Sequence, residues 1–418
     1  MRKKGQYLLL VIFTFLFIYH PPILITHTLH FLAGISWFII IFWKKKAPHF
    51  EIQKHYIKEV LFASIMILYL FTVLLINGKE NLLVAYVFLI IVFEIIPISY
   101  VILFLLKRIK GLDYFSDLLI HVSFLQSLIA ILTFSFPFLQ SFVINIMIMY
   151  GYNDIIIRLS EHRMYGYTYT FPYSMPIVQG AIGALAIYMA INKNFKYFIF
   201  APFILFSGLI NARIAIVIFF IALGLILIHS ISLNFKNVTK MLIILSISLL
   251  IISPTAKVIE EYSPNTYLWL KDGVTDIQNL FYGDTSGNYA SYVTDERNYK
   301  LPEGTALIIG TSEKVIRGNS IYTSDVGYIN DVWVGGLIYA FAIYSYLLII
   351  LFRIRKLLNS QNMNGTLVSI ILLSILVFSN IKGTIFGVNE FITLFYLISL
   401  FSISSYINSL QVAEKTRS

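Results

Sequence analysis

The feature that most constrains this chain is a recurrence, along almost its whole length, of apolar runs of about 18 residues or more separated by short basic clusters. Wound as helix, such a run crosses a hydrocarbon layer of about 30 Å, where every backbone N–H and C=O must find its partner inside the segment. The core of a soluble protein cannot account for so many runs. Composition agrees: of 418 residues, 12% are charged and 58% hydrophobic, with a mean hydropathy of +0.80, against about a quarter charged in a soluble domain.

The expected fold is all-α: a polytopic membrane helix bundle forming a single integral membrane domain over residues 1–418. About twelve transmembrane helices are expected, at residues 7–20, 23–43, 59–77, 82–106, 116–136, 176–192, 196–210, 213–230, 239–254, 326–352, 366–380 and 388–407. Two long segments interrupt the tight connections, residues 138–174 and 255–325. Long segments in a chain of short turns are usually functional. No internal repeat of the kind that builds many transporters is present.

Basic residues orient the bundle, because cytoplasmic loops are enriched in Lys and Arg. With the N-terminus inside, the cytoplasmic set is Arg2–Lys4, Lys44–Lys46, Lys54, Lys58, Lys107, Arg108, Lys110, Lys193, Lys196, Lys236, Lys240, Arg353, Arg355, Lys356, Lys415 and Arg417, 20 of 31. Nearly all the others fall in the two long segments or at Arg213. Both termini are then expected in the cytoplasm, with the two long segments outside a bacterial inner membrane. The start, Met1-Arg2-Lys3-Lys4 before an apolar run, reads as a first anchor and not as a cleaved signal, since no small-residue cleavage site follows.

The net charge of +10 does not imply nucleic acid, because the basic residues act as topology signals between spans. The absence of cysteine removes disulfides, zinc–thiolate sites and thiol nucleophiles. Eight scattered histidines, no HExxH and no phosphate-binding Gly-rich loop leave no metal and no nucleotide cofactor to expect.

Residues with chemistry gather in the two long segments and at one turn. The first segment carries Arg158, Glu161, His162 and Arg163 between Tyr150-Gly151-Tyr152 and Tyr165-Gly166-Tyr167-Thr168-Tyr169. Aromatic faces pack on sugar rings and Arg forks suit phosphate or carboxylate, so this mixture fits an anionic glycolipid. An interfacial helix with a tyrosine belt fits it too. Arg213, after Ser207-Gly208-Leu209-Ile210-Asn211-Ala212, is a charge at a membrane boundary, where a pyrophosphate site and a snorkelling side chain are the two readings. The second segment holds Arg297 and Arg317 and ends Ser324-Asp325-Val326-Gly327-Tyr328-Ile329-Asn330-Asp331, before Gly335-Gly336. Asp325, Asn330 and Asp331 at a helix start suit a general base or a sugar-hydroxyl ligand, while Asp325 also suits an N-cap. Glu94, beside Pro97 in mid-span, suits either proton coupling or a hydrogen bond to a neighbouring helix. His121 and Gln126 read as polar glue.

The layout resembles the Wzy-type O-antigen and capsular polysaccharide polymerases of the O-antigen ligase/polymerase superfamily. It shares many spans, two long extracytoplasmic segments, the turn Asn211-Ala212-Arg213-Ile214-Ala215, and the run from Gly310 through Ser324-Asp325-Val326-Gly327-Tyr328 to Gly335-Gly336. The resemblance covers nearly the whole chain and implies a polyprenyl-pyrophosphate-dependent glycosyltransferase joining undecaprenyl-pyrophosphate-linked oligosaccharides, for O-antigen (lipopolysaccharide) or capsule. It implies catalytic roles for Arg213 and Asp325, substrate or pyrophosphate binding by Arg158, Arg163, Arg297, Arg317, Tyr328 and Asn330, and a chain-length regulator protein as partner. The sequence departs from the family's RX10G pattern: at that spacing Arg158 and Arg163 meet Tyr169 and Ser174, and Arg213 meets Gly224 inside a span. Ser324-Asp325 stands where ligases of the superfamily tend to carry histidine, which favours a polymerase. A ligase and a lipid-linked oligosaccharide flippase or other transporter are the alternatives. A polyprenyl-phosphate glycosyltransferase would need an acid in residues 20–24, and His-Pro-Pro-Ile-Leu has none.

Overall fold

The computed structural model describes residues 2–21, 32, 34, 36, 48–79, 83–149, 159, 163–168, 173–231, 257, 259–282, 296–313 and 324–417. Among these, every regular element is helical: α1 (Arg2–Tyr19), α2 (Pro48–Asn77), α3 (Leu83–Ile90), α4 (Ile96–Ile109), α5 (Phe115–Ser135), α6 (Pro137–Met149), α7 (Ser174–Asn192), α8 (Phe200–Leu209), α9 (Ile214–Ile231), α10 (Pro264–Phe281), α11 (Thr305–Ile309), α12 (Gly327–Asn359), α13 (Gly365–Asn380) and α14 (Glu390–Arg417). Among the described residues, six stretches are long and apolar enough to cross a membrane: Lys54–Asn77, Ala85–Ile109, Leu112–Ser135, Ser174–Asn192, Gly327–Asn359 and Glu390–Ala413. Of the other expected spans, 7–20, 196–210, 213–230 and 366–380 coincide with α1, α8, α9 and α13, which are shorter or carry more charge. Residues 23–43, apart from 32, 34 and 36, and residues 239–254 lie outside the described residues.

Side-chain placement shows a helical membrane protein. On α2, Ala63, Met66, Leu70 and Val73 recur every three or four residues and are buried, whereas Leu61, Ile65, Leu68 and Leu75 on the other face are 56–67% exposed. In water such a contiguous apolar stripe would be a binding or aggregation surface. Against lipid tails it is the ordinary outer face of a span.

The chain divides into two compact units, one of residues 1–10, 27–115 and 296–418, the other of residues 11–26 and 116–295. In the first, α12 packs on α13 and α14, and α4 on α14. Two local breaks shape it. Between α3 and α4 the helix widens into a π turn at Ile91–Ile95. The Ile96 N–H is diverted to the Ile91 carbonyl, and Pro97 has no N–H to offer. The Val92 carbonyl then accepts from the Tyr56 hydroxyl at 3.1 Å. Glu94 is buried in this turn.

The second break is in α12, where Gly335 and Gly336 leave helical geometry (Gly336 φ 69°, ψ −174°). A Cβ on Gly336 would lie 2.0 Å from the Ile308 carbonyl oxygen of α11, so only glycine fits. The backbone groups around the break are satisfied: Thr311 N–H donates to Trp333 O at 2.7 Å and Ser312 N–H to Val334 O at 2.9 Å. Tyr69 Oη donates to Gly335 O at 2.8 Å.

Arg353, Glu59, His55 and Ser399 tie three helices of this unit together. Arg353 pairs with Glu59 at 3.2 Å and also donates to Ser399 Oγ at 3.0 Å, with His55 Nδ1 at 3.2 Å.

In the second unit α7 packs on both α8 and α9. Its buried small residues, Gly180, Gly183, Ala184 and Ala186, let backbones approach closely. The first long segment opens as helix α6, whose Phe138, Phe142 and Met149 are exposed while Val143 and Met147 are buried. The second contains α10, a fully formed helix of 18 residues.

Candidate functional site

Arg213 closes the turn that joins α8 to α9. The turn is rigid because Ile210, Asn211 and Ala212 before it are fully buried. A buried Asn is costly unless its amide is satisfied, and Asn211 is. Its Oδ1 accepts from Met164 N–H (3.1 Å) and Tyr165 N–H (2.8 Å), and its Nδ2 donates to Tyr165 O and Ser207 O, both at 2.8 Å. One side chain thus staples the first long segment to the Arg213 turn.

Residues 163–168 are held by further buried groups of the same unit. Gly166 N–H donates to Thr133 Oγ1 at 2.7 Å, Tyr167 N–H to Gln126 Oε1 at 3.4 Å, and Thr168 Oγ1 to Tyr19 O at 2.9 Å. Gln126, expected to bond a neighbouring helix, accepts from this segment's backbone. His121 stands edge-on to Phe200 at 5.5 Å. Tyr165 enters an apolar cluster with Ala130, Phe134, Ile210 and Ile259, against which Tyr267 and Leu270 of α10 pack. Its hydroxyl lies 3.2 Å from Ser263 Oγ and 3.1 Å from Thr266 Oγ1.

Those bonds fix the start of α10. Thr266, Trp269, Leu270 and Gly273 follow at helical spacing on one face. The Trp269 ring carries two guanidiniums: Cζ of Arg213 lies 4.6 Å and Cζ of Arg163 5.5 Å from its centroid. Both distances are within the range of cation–π attraction. Two arginines from separate parts of the sequence therefore meet on one tryptophan from a third. A guanidinium is planar with its N–H donors in that plane, the geometry that takes carboxylate or phosphate oxygens in pairs.

The other candidate residues belong to the first unit. Asp325 does not cap α12: the N-cap residue is Val326, with no side-chain cap bond, and the Val326 N–H donates instead to Ser324 Oγ at 3.1 Å. Asn330 is buried and donates to Ser324 O (2.8 Å) and Val326 O (3.1 Å), bracing the start of α12. The Tyr328 hydroxyl donates to Val377 O at 2.9 Å. Arg297 is exposed in a 3-10 turn, Glu296–Tyr299. Arg158 and Arg317 lie outside the described residues.

Two features were not singled out from sequence. Trp269 and Gly273 are one; the signal was the spacing Thr266, Trp269/Leu270, Gly273. The second is the Arg353–Glu59 pair, of which only Arg353 was read, as part of a cytoplasmic basic cluster. Asp331, a candidate from the sequence, is buried and accepts from the Tyr344 hydroxyl, which in turn accepts from Asn380 Nδ2 at 2.9 Å. Among the described residues, no group of three or more His, Cys, Asp and Glu is placed to hold a metal ion.

No family model, curated protein or solved structure matches this chain. Its functional reading rests on its own residues.

Proposed function

We propose that this protein is a polysaccharide polymerase of the bacterial inner membrane, joining undecaprenyl-pyrophosphate-linked oligosaccharide repeat units on the outer face. Twelve spans with both termini cytoplasmic, the arrangement that its basic clusters favour, put the Arg213 turn and both long segments on that face. The single observation that carries the reading is the meeting of Arg163 and Arg213 on Trp269.

The chemistry asks for such a pair. The acceptor hydroxyl attacks the anomeric carbon of the donor glycan, the carbon–oxygen bond to pyrophosphate breaks, and the hydroxyl proton passes to a base. The lipid pyrophosphate leaves with the bonding electrons. Little nucleophile activation is needed when the leaving group is stabilised, and fixed cations at its oxygens supply that. Asp325 is the candidate base. Arg297 is a candidate for the anionic headgroup, as are Arg158 and Arg317. Tyr328 and Asn330, which also brace the first unit through the bonds described above, are candidates for the sugar hydroxyls.

The test is a deletion strain analysed for surface glycan and complemented with variants. The reading expects single-repeat glycan in the deletion strain, long chains on complementation, and none with Arg213→Ala at equal membrane level. Unchanged chain-length ladders with Arg213→Ala would refute it.

A transporter is the second reading, favoured by Glu94, an acid buried in a π turn within a spanning helix, since such turns and such acids are often functional. It expects no surface glycan at all in the deletion strain.

A further inference from the structure

We infer that Trp269 is the positioning residue that makes Arg163 and Arg213 into one diphosphate-binding pair, and that Gly273 provides the slot in which Arg213 lies. This rests on the reading of the arginines as a pyrophosphate site.

The two arginines reach the site from unrelated anchors. Arg163 precedes the stretch stapled by Asn211, Thr133 and Gln126, and Arg213 ends a buried turn. The quadrupole of an indole, the strongest aromatic partner for a cation, attracts both. Each Cζ is within 5.5 Å of the same centroid, so the two cations are no more than about 10 Å apart. Two cations within that span suit a ligand with two anionic centres better than a single phosphate.

Register does the rest. Tyr165 bonds Ser263 and Thr266 at the start of α10, which sets Trp269 about one turn on and Gly273 one turn beyond that. A Cβ at position 273 would stand 2.3, 2.4 and 2.5 Å from Nε, Cζ and Cδ of Arg213. Any side chain there forces the Arg213 guanidinium to move from this position. Glycine in mid-helix costs about 0.5–1 kcal/mol relative to alanine, so its presence here needs a reason of this kind.

The chain has 4 tryptophans, and replacing Trp37, Trp43 and Trp333 by Phe leaves Trp269 as the only reporter. Full-length protein in nanodiscs is titrated with inorganic pyrophosphate and, separately, inorganic phosphate, following indole emission, while equilibrium dialysis measures affinity in every variant. We expect a saturable emission change with pyrophosphate and at least tenfold weaker response to phosphate. Gly273→Ala and Trp269→Ala should each weaken pyrophosphate binding tenfold or more, and Trp269→Phe should recover part of the loss.

If pyrophosphate binds but Trp269→Ala and Gly273→Ala bind it as the parent does, Trp269 only docks α10 and the inference falls while the site stands. If the parent binds no pyrophosphate, or binds phosphate equally well, the reading of the arginines falls with it. Should Trp269→Ala fail to fold, Trp269→Phe and Gly273→Ala decide the matter on the same measurement.

Discussion

Arg353 and Glu59 offer a quantitative test of how the first unit is held. Their side chains are 17% and 6% exposed and lie 3.2 Å apart, so both have lost most of their water. Removing one partner of such a pair strands the other and costs roughly 3–5 kcal/mol. Replacing both by well-packed apolar residues of similar volume is often neutral, or stabilising by about 1–4 kcal/mol.

The two single losses are unequal, because a guanidinium cannot shed its proton whereas a carboxyl can take one up. Glu59→Leu leaves Arg353 with only Ser399 and His55, and is expected to cost more than Arg353→Met. The double variant should recover at least about 2 kcal/mol relative to the sum of the singles. Reversible unfolding of the purified protein in mixed micelles, with denaturing detergent as titrant, reads all four species. Additive losses in the double variant would show that the pair does not bind α2 to α12, and equal single losses would refute the charge argument.

Three further outcomes follow from particular contacts. Asn211→Leu removes four hydrogen bonds at once and leaves the buried Met164 and Tyr165 N–H groups without that acceptor; at about 1–3 kcal/mol per stranded group, limited proteolysis should cut near residues 163–168 far faster than in the parent, and an unchanged cleavage rate counts against the staple. Gly336→Ala forces a Cβ to 2.0 Å from Ile308 O at a positive φ, so it should lower the thermal midpoint more than alanine at Gly5, which has open space around it. Asp325→Asn, which keeps the side chain's size and one of its oxygens, should leave the membrane level of the protein unchanged yet abolish long-chain glycan in the complementation assay; retained chain length would remove Asp325 from the base role.

Much of the helix pattern could be read directly, because a span must carry its own apolar length and its backbone has no alternative partner. Residues 82–106 became α3 and α4 (Leu83–Ile90 and Ile96–Ile109), and 366–380 became Gly365–Asn380. Ends were misjudged where charge continues a helix past its apolar run: α2 starts at Pro48, not 59, and α12 runs to Asn359, not 352. Helix α10 was invisible as a span because it is amphipathic, with Lys271 and Asp272 exposed on one side and Gly273 buried on the other.

At the site, Arg213 announced itself because a cation at a membrane boundary is expensive. Trp269 did not, since its role depends on which face of α10 meets the Arg213 turn, a fact of tertiary packing. For Asn330 and Tyr328, polar identity suggested ligands, and the structure shows hydrogen bonds to backbone carbonyls in the same unit.

The central claim is that the arginine–tryptophan pair opens to the extracytoplasmic side. The chain contains no cysteine, so single cysteines can be placed on exposed positions and probed with a membrane-impermeant maleimide in intact cells. Asp272→Cys, on the exposed side of α10, should label fully without permeabilisation. Ser360→Cys, in the exposed turn after α12, should label only after it. The reverse pattern would place Arg163, Arg213 and Trp269 in the cytosol and contradict the account.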